Sequence, residues 1–409
     1  LSMSDFGNMP NGEIIKKFSS IIHFIVINLE HKIIIMFNTL LKVFFTLLFL
    51  ISCTNNNSVS KLSMSDFGNM PNGEIIKKFK ISNANGISVE VINYGAIITN
   101  LFVPDSSGSI KDIVLGFNDF NSYYQNNPYF GAIVGRYGNR ISNGTFLLDD
   151  VKYELKKNNG PNSLHGGLVG FDKVFWKFIE QKSDNQSLYF EYHSKHMEEG
   201  FPGNLVVGVE YSLNDSNELK IKYTASTDKK TIINLTQHSY FNLSGESSGD
   251  ILDHVLNINA AYYLPVNENM IPHGPYEKVE LTPFDFNNPK KIGSDIFVDD
   301  IQLKIGNGYD HCFVLDNIDG KLKKIGSVES PVTGIKMDII TDQPGIQLYT
   351  GNFLDGSLES KEKKQYEKHS GFCLETQHFP NSPNQKEYPS VILNKGEVYN
   401  TETIYKFSY

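Results

Sequence analysis

The sequence predicts an all-β chain folded as a large single-domain antiparallel β-sandwich, and three observations predict it. Apolar and polar residues alternate in several runs of strand length. Clusters of Asn, Asp, Gly and Pro separate those runs. After Lys61 no helical period is sustained, and neither a Gly-rich strand-to-helix phosphate loop nor a βαβ rhythm occurs.

Taken in chain order, the first segment stands apart. The string LSMSDFGNMPNGEIIKKF fills positions 1–18 and recurs without change at 62–79. Structural repeats drift and recur at a regular period, so a perfect copy between unrelated flanks is not one. Residues 1–35 therefore read as a non-native or gene-model extension, with Met36 as the natural start. From Met36 a short region with Lys42 leads into an apolar run over 43–52 and then Cys53. Leu50-Ile51-Ser52-Cys53 resembles the bacterial lipobox, a signal whose Cys becomes lipidated. The expected organisation is a lipoprotein-type signal peptide at 36–53, a polar tether at 54–66 and one domain at 67–409. The alternative is an uncleaved membrane helix over 33–52, a stretch of roughly spanning length. Both readings predict an exported protein, periplasmic or membrane-anchored, held through lipidated Cys53 or the leader helix.

The body supplies the strands. Leu188, Phe190 and Tyr192 alternate. Residues 205–213 (LVVGVEYSL) place Leu205, Val207, Val209, Tyr211 and Leu213 on one face. Residues 218–226 (ELKIKYTAS) do the same with Leu219, Ile221, Tyr223 and Ala225, as do Ile335, Met337 and Ile339. Turns are marked by Asn158-Asn159-Gly160-Pro161, Asn214-Asp215-Ser216-Asn217, Asp316-Asn317 and Asp319-Gly320. No low-complexity linker interrupts 67–409, and many short strands with frequent turns fit a sandwich.

Composition narrows the function. The net charge is −9, and no long basic run is present, which argues against a nucleic-acid surface. Of 37 basic residues only Arg136 and Arg140 are arginine. Where Arg persists in so Lys-rich a chain, a planar multi-donor guanidinium is the expected reason, more for Arg140 than for Arg136. Cys312 and Cys373 either pair or remain buried thiols, and the sequence leaves both open. His193 and His196 form an H-x-x-H without an evident third ligand, so no metal is expected. The G-x-S-x-G elbow of a serine nucleophile is missing.

Five segments carry polar side chains in strand-and-turn settings: GRYGNRI at 135–141, NSLHGG at 162–167, NLTQHSYFN at 234–242, NGYDHCF at 307–313 and GFCLETQHF at 371–379. Glu375 follows Phe372-Cys373-Leu374, an apolar setting in which burial raises a carboxyl toward a useful base. A buried structural Glu explains the same pattern. His238 precedes Tyr240 and Phe241 and is open to the reading of a core histidine. Asp310 has the alternative of a turn Asp, and His165-Gly166-Gly167 that of a tight turn. Gln347 and Tyr349 share the face opposite Ile346 and Leu348, a face turned to solvent or to a cleft.

Together these segments resemble the aldose 1-epimerase (galactose mutarotase) family, in its order and approximate spacing from about Phe67 onward. YFGAIVGRYGNRISNGTF, NSLHGGLVGFDKVFWKF, YLPVNENMIPHG, QPGIQLYTGNFLDGSL and KHSGFCLETQHFPNSPNQ extend the match. The resemblance implies a sandwich with an open sugar cleft and interconversion of the α and β anomers of free aldohexoses such as glucose and galactose. It also implies no cofactor and a small-molecule sugar as partner, with the chain a monomer or weak homodimer. Carried over, Glu375 is the general base and His238 the general acid. Asn139, Arg140, His165, Asp310 and Gln347 bind sugar, with Ser239 and Tyr240 matching more loosely. Tyr137-Gly138 stand where a small apolar pair is commoner, and Gln237 where Asn is usual. Two rivals remain: a hexose-6-phosphate epimerase, which would want more cations, and a non-catalytic sugar-binding lipoprotein.

Overall fold

The computed structural model describes residues 11–52, 62–316 and 320–409, with the side chains of 11, 12, 14 and 45–52 excluded. Cys53, the tether residues 54–61 and the turn residues Asn317 and Asp319 lie outside the described residues. Two compact units divide the chain at Ser58. In the first, one helix runs Asn11–Ser52, and its stretch Ile15–Phe44 is long and apolar enough to cross a membrane.

The second unit is antiparallel β-structure, as expected. Among its described residues the largest sheet has nine strands. Its centre is Ser187–Ser194, Leu205–Leu213, Glu218–Thr227, Val398–Ser408 and Lys336–Thr341 in spatial order. The expected inward rows are the buried ones: Val207 faces Ala225 and Val209 faces Tyr223 across the ladder, all at 4% exposure or less. Period-2 alternation puts each row on one side of the pleat, where it leaves water. A five-stranded sheet runs from Ser63–Asn69 to Ile110–Asp112. A second five-stranded sheet orders Glu277–Lys278, Tyr262–Tyr263, Asp310–Val314, Gly345–Tyr349 and Cys373–Gln377. Phe79, Val207, Leu348 and Leu374, drawn from all three sheets, belong to one continuous apolar cluster. That shared core makes the architecture a sandwich.

The sheet begins at Ser63, inside the segment expected to be tether. Ser63–Asn69 is an exposed edge strand paired with Ile75–Ser82, and its polar sequence carries no alternation to read. The duplicated string is informative here. Residues 14–18 (IIKKF) lie in the helix, with Ile15 and Phe18 exposed, whereas the same letters at 75–79 form a strand that buries Ile76 and Phe79 completely. Tertiary context, not propensity, decides between the two.

Short elements then place the cleft residues. Asp119 caps the helix Phe120–Asn126, accepting the Ser122 N–H at 3.0 Å, and Asn127 accepts the Phe130 N–H at 2.7 Å. The chain is thereby turned through Tyr129 into Ala132–Val134. Asp300 caps Ile301–Gly306, and left-handed Asn307 ends it just before Asp310.

Candidate active site

A cleft of about 570 Å³ opens over the second five-stranded sheet. Arg140–Ile141 pairs with Ser163–Leu164, which brings Asn139 and Arg140 beside His165. The Asn139 N–H donates to His165 Nδ1 at 3.2 Å, and the His165 N–H donates to the Asn139 carbonyl at 3.1 Å. With Nδ1 accepting, the neutral His165 ring carries its proton on Nε2. Gly166 is required behind it, because at φ +91° a Cβ would stand 1.9 Å from the Gly135 carbonyl oxygen. Tyr129, Asn139 and His165 all hold φ between +52° and +70°. Such backbone strain clusters where the surroundings over-determine it, as at binding sites.

His238 ends the strand Thr236–His238, which pairs with Ala132–Val134. Glu375 is the middle residue of Cys373–Gln377. Its Oε1 lies 3.6 Å from His238 Nε2, and both side chains are buried. Glu375 Oε2 has no hydrogen-bond partner among the described residues. Cross-strand register sets Gln347 opposite Glu375 and Asp310 opposite Tyr349. Gln347 Nε2 donates to Asp310 Oδ1 at 2.6 Å, and Arg140 Nη2 stands 3.8 Å from Asp310 Oδ2. Arg140 Nε also donates to Asn159 at 3.0 Å.

Burial dominates the electrostatics. It pushes the Glu375 carboxyl well above its usual range; Asp310 adds to the rise and Arg140 opposes it. Asp310 is raised by burial against Arg140 and the Gln347 hydrogen bond. Burial lowers His238 to about 4, and it holds His165 well below its usual value, with help from His238 and Arg140. Two desolvated carboxyls therefore share one guanidinium, beside two neutral imidazoles.

The expected residues Asn139, Arg140, His165, His238, Tyr240, Asp310 and Glu375 all line the cleft. Gln347 stands behind Asp310 and orients it. Ser239 is a correction: it stands just past the strand Thr236–His238 and does not line the cleft; its hydroxyl accepts from Gln237 Nε2 at 2.7 Å. Tyr137 and Gln237 work behind the cleft: the Tyr137 hydroxyl donates to the Phe379 carbonyl, and Gln237 Nε2 donates to the Gly131 carbonyl. Arg136 is buried elsewhere, donating to the carbonyls of Pro202 and Gly203 and to the Thr231 and Ser194 hydroxyls. Sequence reasoning passed over Tyr129, whose ring lies 4.7 Å from His165 and 5.6 Å from His238, and Phe353, 65% exposed at the mouth. An aromatic just past a cleft-facing strand, as Phe353 is, was the available signal.

Cys312 and Cys373 are free buried thiols. His193 is exposed and pairs with Glu191, while His196 Nδ1 accepts the Gly203 N–H. One ligand atom each from His165, His238 and Glu375 falls within a 4.8 Å spread. The arrangement is suited to moving protons on a bound polyol.

The family profile described as aldose 1-epimerase matches residues 77–406. The galactose mutarotase of Sus scrofa is 44% identical over 348 residues, covering 85% of this chain and 98% of that one. The aldose 1-epimerase of Escherichia coli is 39% identical over 340 residues, covering 82% and 96%. Among solved structures, a GalM/aldose epimerase homologue from C. elegans superposes with a TM-score of 0.74 at 29% identity, covering 81% of this chain and 98% of that one. Galactose 1-epimerase from Lactobacillus acidophilus gives 0.74 at 28%, covering 85% and 98%.

Proposed function

The chain belongs to the aldose 1-epimerase family, and from that premise we propose that it interconverts the α and β anomers of free aldohexoses such as glucose and galactose, with Glu375 as general base and His238 as general acid. The observation that carries this reading is the 3.6 Å approach of His238 Nε2 to Glu375 Oε1 in a buried cleft. The two oxygens that exchange protons in a cyclic hemiacetal hang from the same carbon. A base and an acid serving them must stand side by side. An inverting glycosidase instead holds two carboxyls about 6.5–9.5 Å apart across the bond, and here the partner of the carboxyl is an imidazole.

Glu375 takes the proton of the C1 hydroxyl. The electron pair left on that oxygen forms the carbonyl π bond, the bond from C1 to the ring oxygen breaks with its electrons staying on the ring oxygen, and His238 protonates the ring oxygen. Neither a free alkoxide nor a cationic ring oxygen is formed. Rotation about C1–C2 presents the other carbonyl face. The groups then reverse roles: His238 removes the proton from the attacking hydroxyl, and Glu375 returns one to the new C1 oxygen. No electron carrier enters the balance. Arg140, His165 and Asp310 hold hydroxyls remote from C1 so that only the aldehyde turns.

The raised carboxyl and the lowered imidazole mean that the pair carries one proton over a wide pH range, resting on Glu375 in the sugar-free cleft. Moving that proton to His238 gives the reactive form without changing the net charge. Polarimetry on fresh α-glucose and α-galactose tests the assignment. Glu375→Gln and His238→Asn should fold and lose most of the acceleration, each partner being worth about 10²–10⁴-fold. Near-wild-type rates in either variant would remove the roles.

We also infer that this activity works outside the cytoplasm, as a lipoprotein processed at Cys53. The support is the Leu50-Ile51-Ser52-Cys53 string and the apolar helix before it. Incorporation of labelled fatty acid, abolished by Cys53→Ala, tests it; no label in the wild-type chain would overturn it.

A further inference from the structure

We propose that Lys173 is a positioning residue for the reaction: its ammonium, pinned by the buried Asp172 carboxylate, braces the ring of Tyr129 beside His238 and His165. The inference rests on the acid–base reading above and deepens it. Lys173 Nζ stands over the Tyr129 ring, 4.8 Å from its centroid, and pairs with Asp172 Oδ2. The Tyr129 ring in turn lies 4.7 Å from His165 and 5.6 Å from His238. Tyr129 lines the cleft and Lys173 does not, so contact between the cation and the site runs through that ring.

Tyr129 needs a brace. Its φ of +70° is a left-handed conformation that bulky side chains rarely adopt, so the backbone by itself does not select this pose. The hydroxyls of Tyr137 and Tyr240 donate to the carbonyls of Phe379 and Pro128. Among the described residues the Tyr129 hydroxyl has no such anchor. What holds its ring is the cation over its face and the two imidazoles beside it. A ring held still keeps both imidazoles at a fixed tilt to the sugar, with the acid in reach of the ring oxygen.

The cation is fixed in its turn because Asp172 is buried. Phe171–Lys173 is a single 3-10 turn anchored at both ends: the Phe171 N–H donates to the Gly135 carbonyl at 3.0 Å, and the Val174 carbonyl accepts the Gly95 N–H at 2.8 Å. The Asp172 side chain is 3% exposed, and its Oδ1 has no partner among the described residues. A surface ion pair is worth little and lets a lysine wander, whereas a carboxylate this buried depends on its cation. Lys173 Nζ is thereby held where the negative face of the Tyr129 ring attracts it. The same charge adds to burial, His238 and Arg140 in keeping the His165 imidazole neutral.

The test combines polarimetric kcat and KM with the Tyr129 ring resonances of the sugar-free protein, identified by their loss in Tyr129→Leu. Lys173→Met should lower kcat by about 3- to 10-fold, what a partly desolvated cation–π contact is worth, with KM within about twofold. Lys173→Arg, which still offers a cation to both partners, should keep most of kcat. Tyr129→Leu removes the ring, so adding Lys173→Met to it should slow the enzyme no further. Asp172→Asn in the Lys173→Met background relieves the unpaired carboxylate and should restore stability in urea without restoring kcat. A structural role alone predicts the reverse, and kcat recovered by Asp172→Asn overturns the proposal. So does an unchanged kcat in Lys173→Met, or losses that multiply in the Tyr129→Leu double variant. In Lys173→Met the ring resonances should shift, and unmoved resonances overturn the brace without any turnover being measured. A wild-type protein that leaves mutarotation unaccelerated would instead defeat the underlying reading, so the two failures are distinguishable.

Discussion

Replacing Glu375 by Gln should make the protein more stable while making it inactive, and the stability gain should depend on pH in a calculable way. Burial raises the folded-state carboxyl above its unfolded value of 4.5. Between those two values the folded protein keeps a proton that the unfolded chain has released. Stability of the wild type therefore falls as pH rises through that window, by up to about 1.4 kcal/mol per pH unit, and levels off above the folded-state value. Below pH 4.5 both states hold the proton and the penalty vanishes. Glutamine is close in shape and never ionises, so the variant escapes the penalty altogether. With roughly 2–4 °C of Tm per kcal/mol in large domains, the variant should pull ahead by about 3 °C for each pH unit inside that window. Little difference should remain at pH 4.5. Solvent screening does not discount the figure, because Glu375 is 2% exposed. Urea melts and thermal scans of both proteins at matched pH measure the gap. A gap that stays flat from pH 5 to 7, or a variant less stable than wild type at pH 7, would refute the reasoning.

Three further outcomes follow from the cleft and its support. The kcat/KM profile should be a bell. Its acid limb falls as the pair takes up a second proton near the lowered His238 value of about 4, and its basic limb falls where Glu375 loses its raised proton; a basic limb below the usual carboxylate range would contradict it. Arg140→Lys keeps a charge but loses the planar fork that reaches both Asn159 and Asp310. KM for galactose should rise about 10-fold or more, the equivalent of one charged hydrogen bond, and an unchanged KM in steady-state polarimetry would count against the grip. Arg136→Met should lower stability by about 3 kcal/mol or more, because its buried carbonyl acceptors are left unpaired. Its effect on KM should be small, and urea titration beside kinetics separates the two.

The sandwich was legible where one face of a strand is wet. Leu205–Leu213 and Glu218–Thr227 alternate in sequence because they alternate in burial. Gly345–Tyr349 and Cys373–Gln377 are buried on both faces, so the alternation of Gln347 with Ile346 and Leu348 left open whether the polar face met solvent or a cleft, and no alternation marked Glu375. Their residues were found through chemistry and family resemblance. Ser239 came in with its motif neighbours His238 and Tyr240, which line the cleft as Ser239 does not. The approach of Lys173 to Tyr129 joins separate segments of the chain, and no local pattern encodes it. A helix was expected only over 33–52, as the alternative to a signal peptide, and it runs Asn11–Ser52, while the edge strand Ser63–Asn69 was hidden by its polarity.

The duplicated IIKKF has a consequence for how the chain finds its native pairing. Strand Ser88–Ile92 recruits Ile75–Ser82 as its neighbour, and an identical pentapeptide lies further upstream. Phe79 stands 9 residues before Ser88, and Phe18 stands 70 before it. Closing the longer loop costs about 2 kcal/mol more by chain entropy alone, a bias of about 20-fold toward the nearer copy. Distance along the chain adds to what side chains already decide, because the ladder continues through Lys80, Ile81 and Ser82, where the upstream copy has Ser19, Ser20 and Ile21. By loop closure alone an unfolded molecule would misthread about a few times in a hundred at most. Removing the upstream copy should leave the finished sheet unchanged and raise the yield with which it is reached.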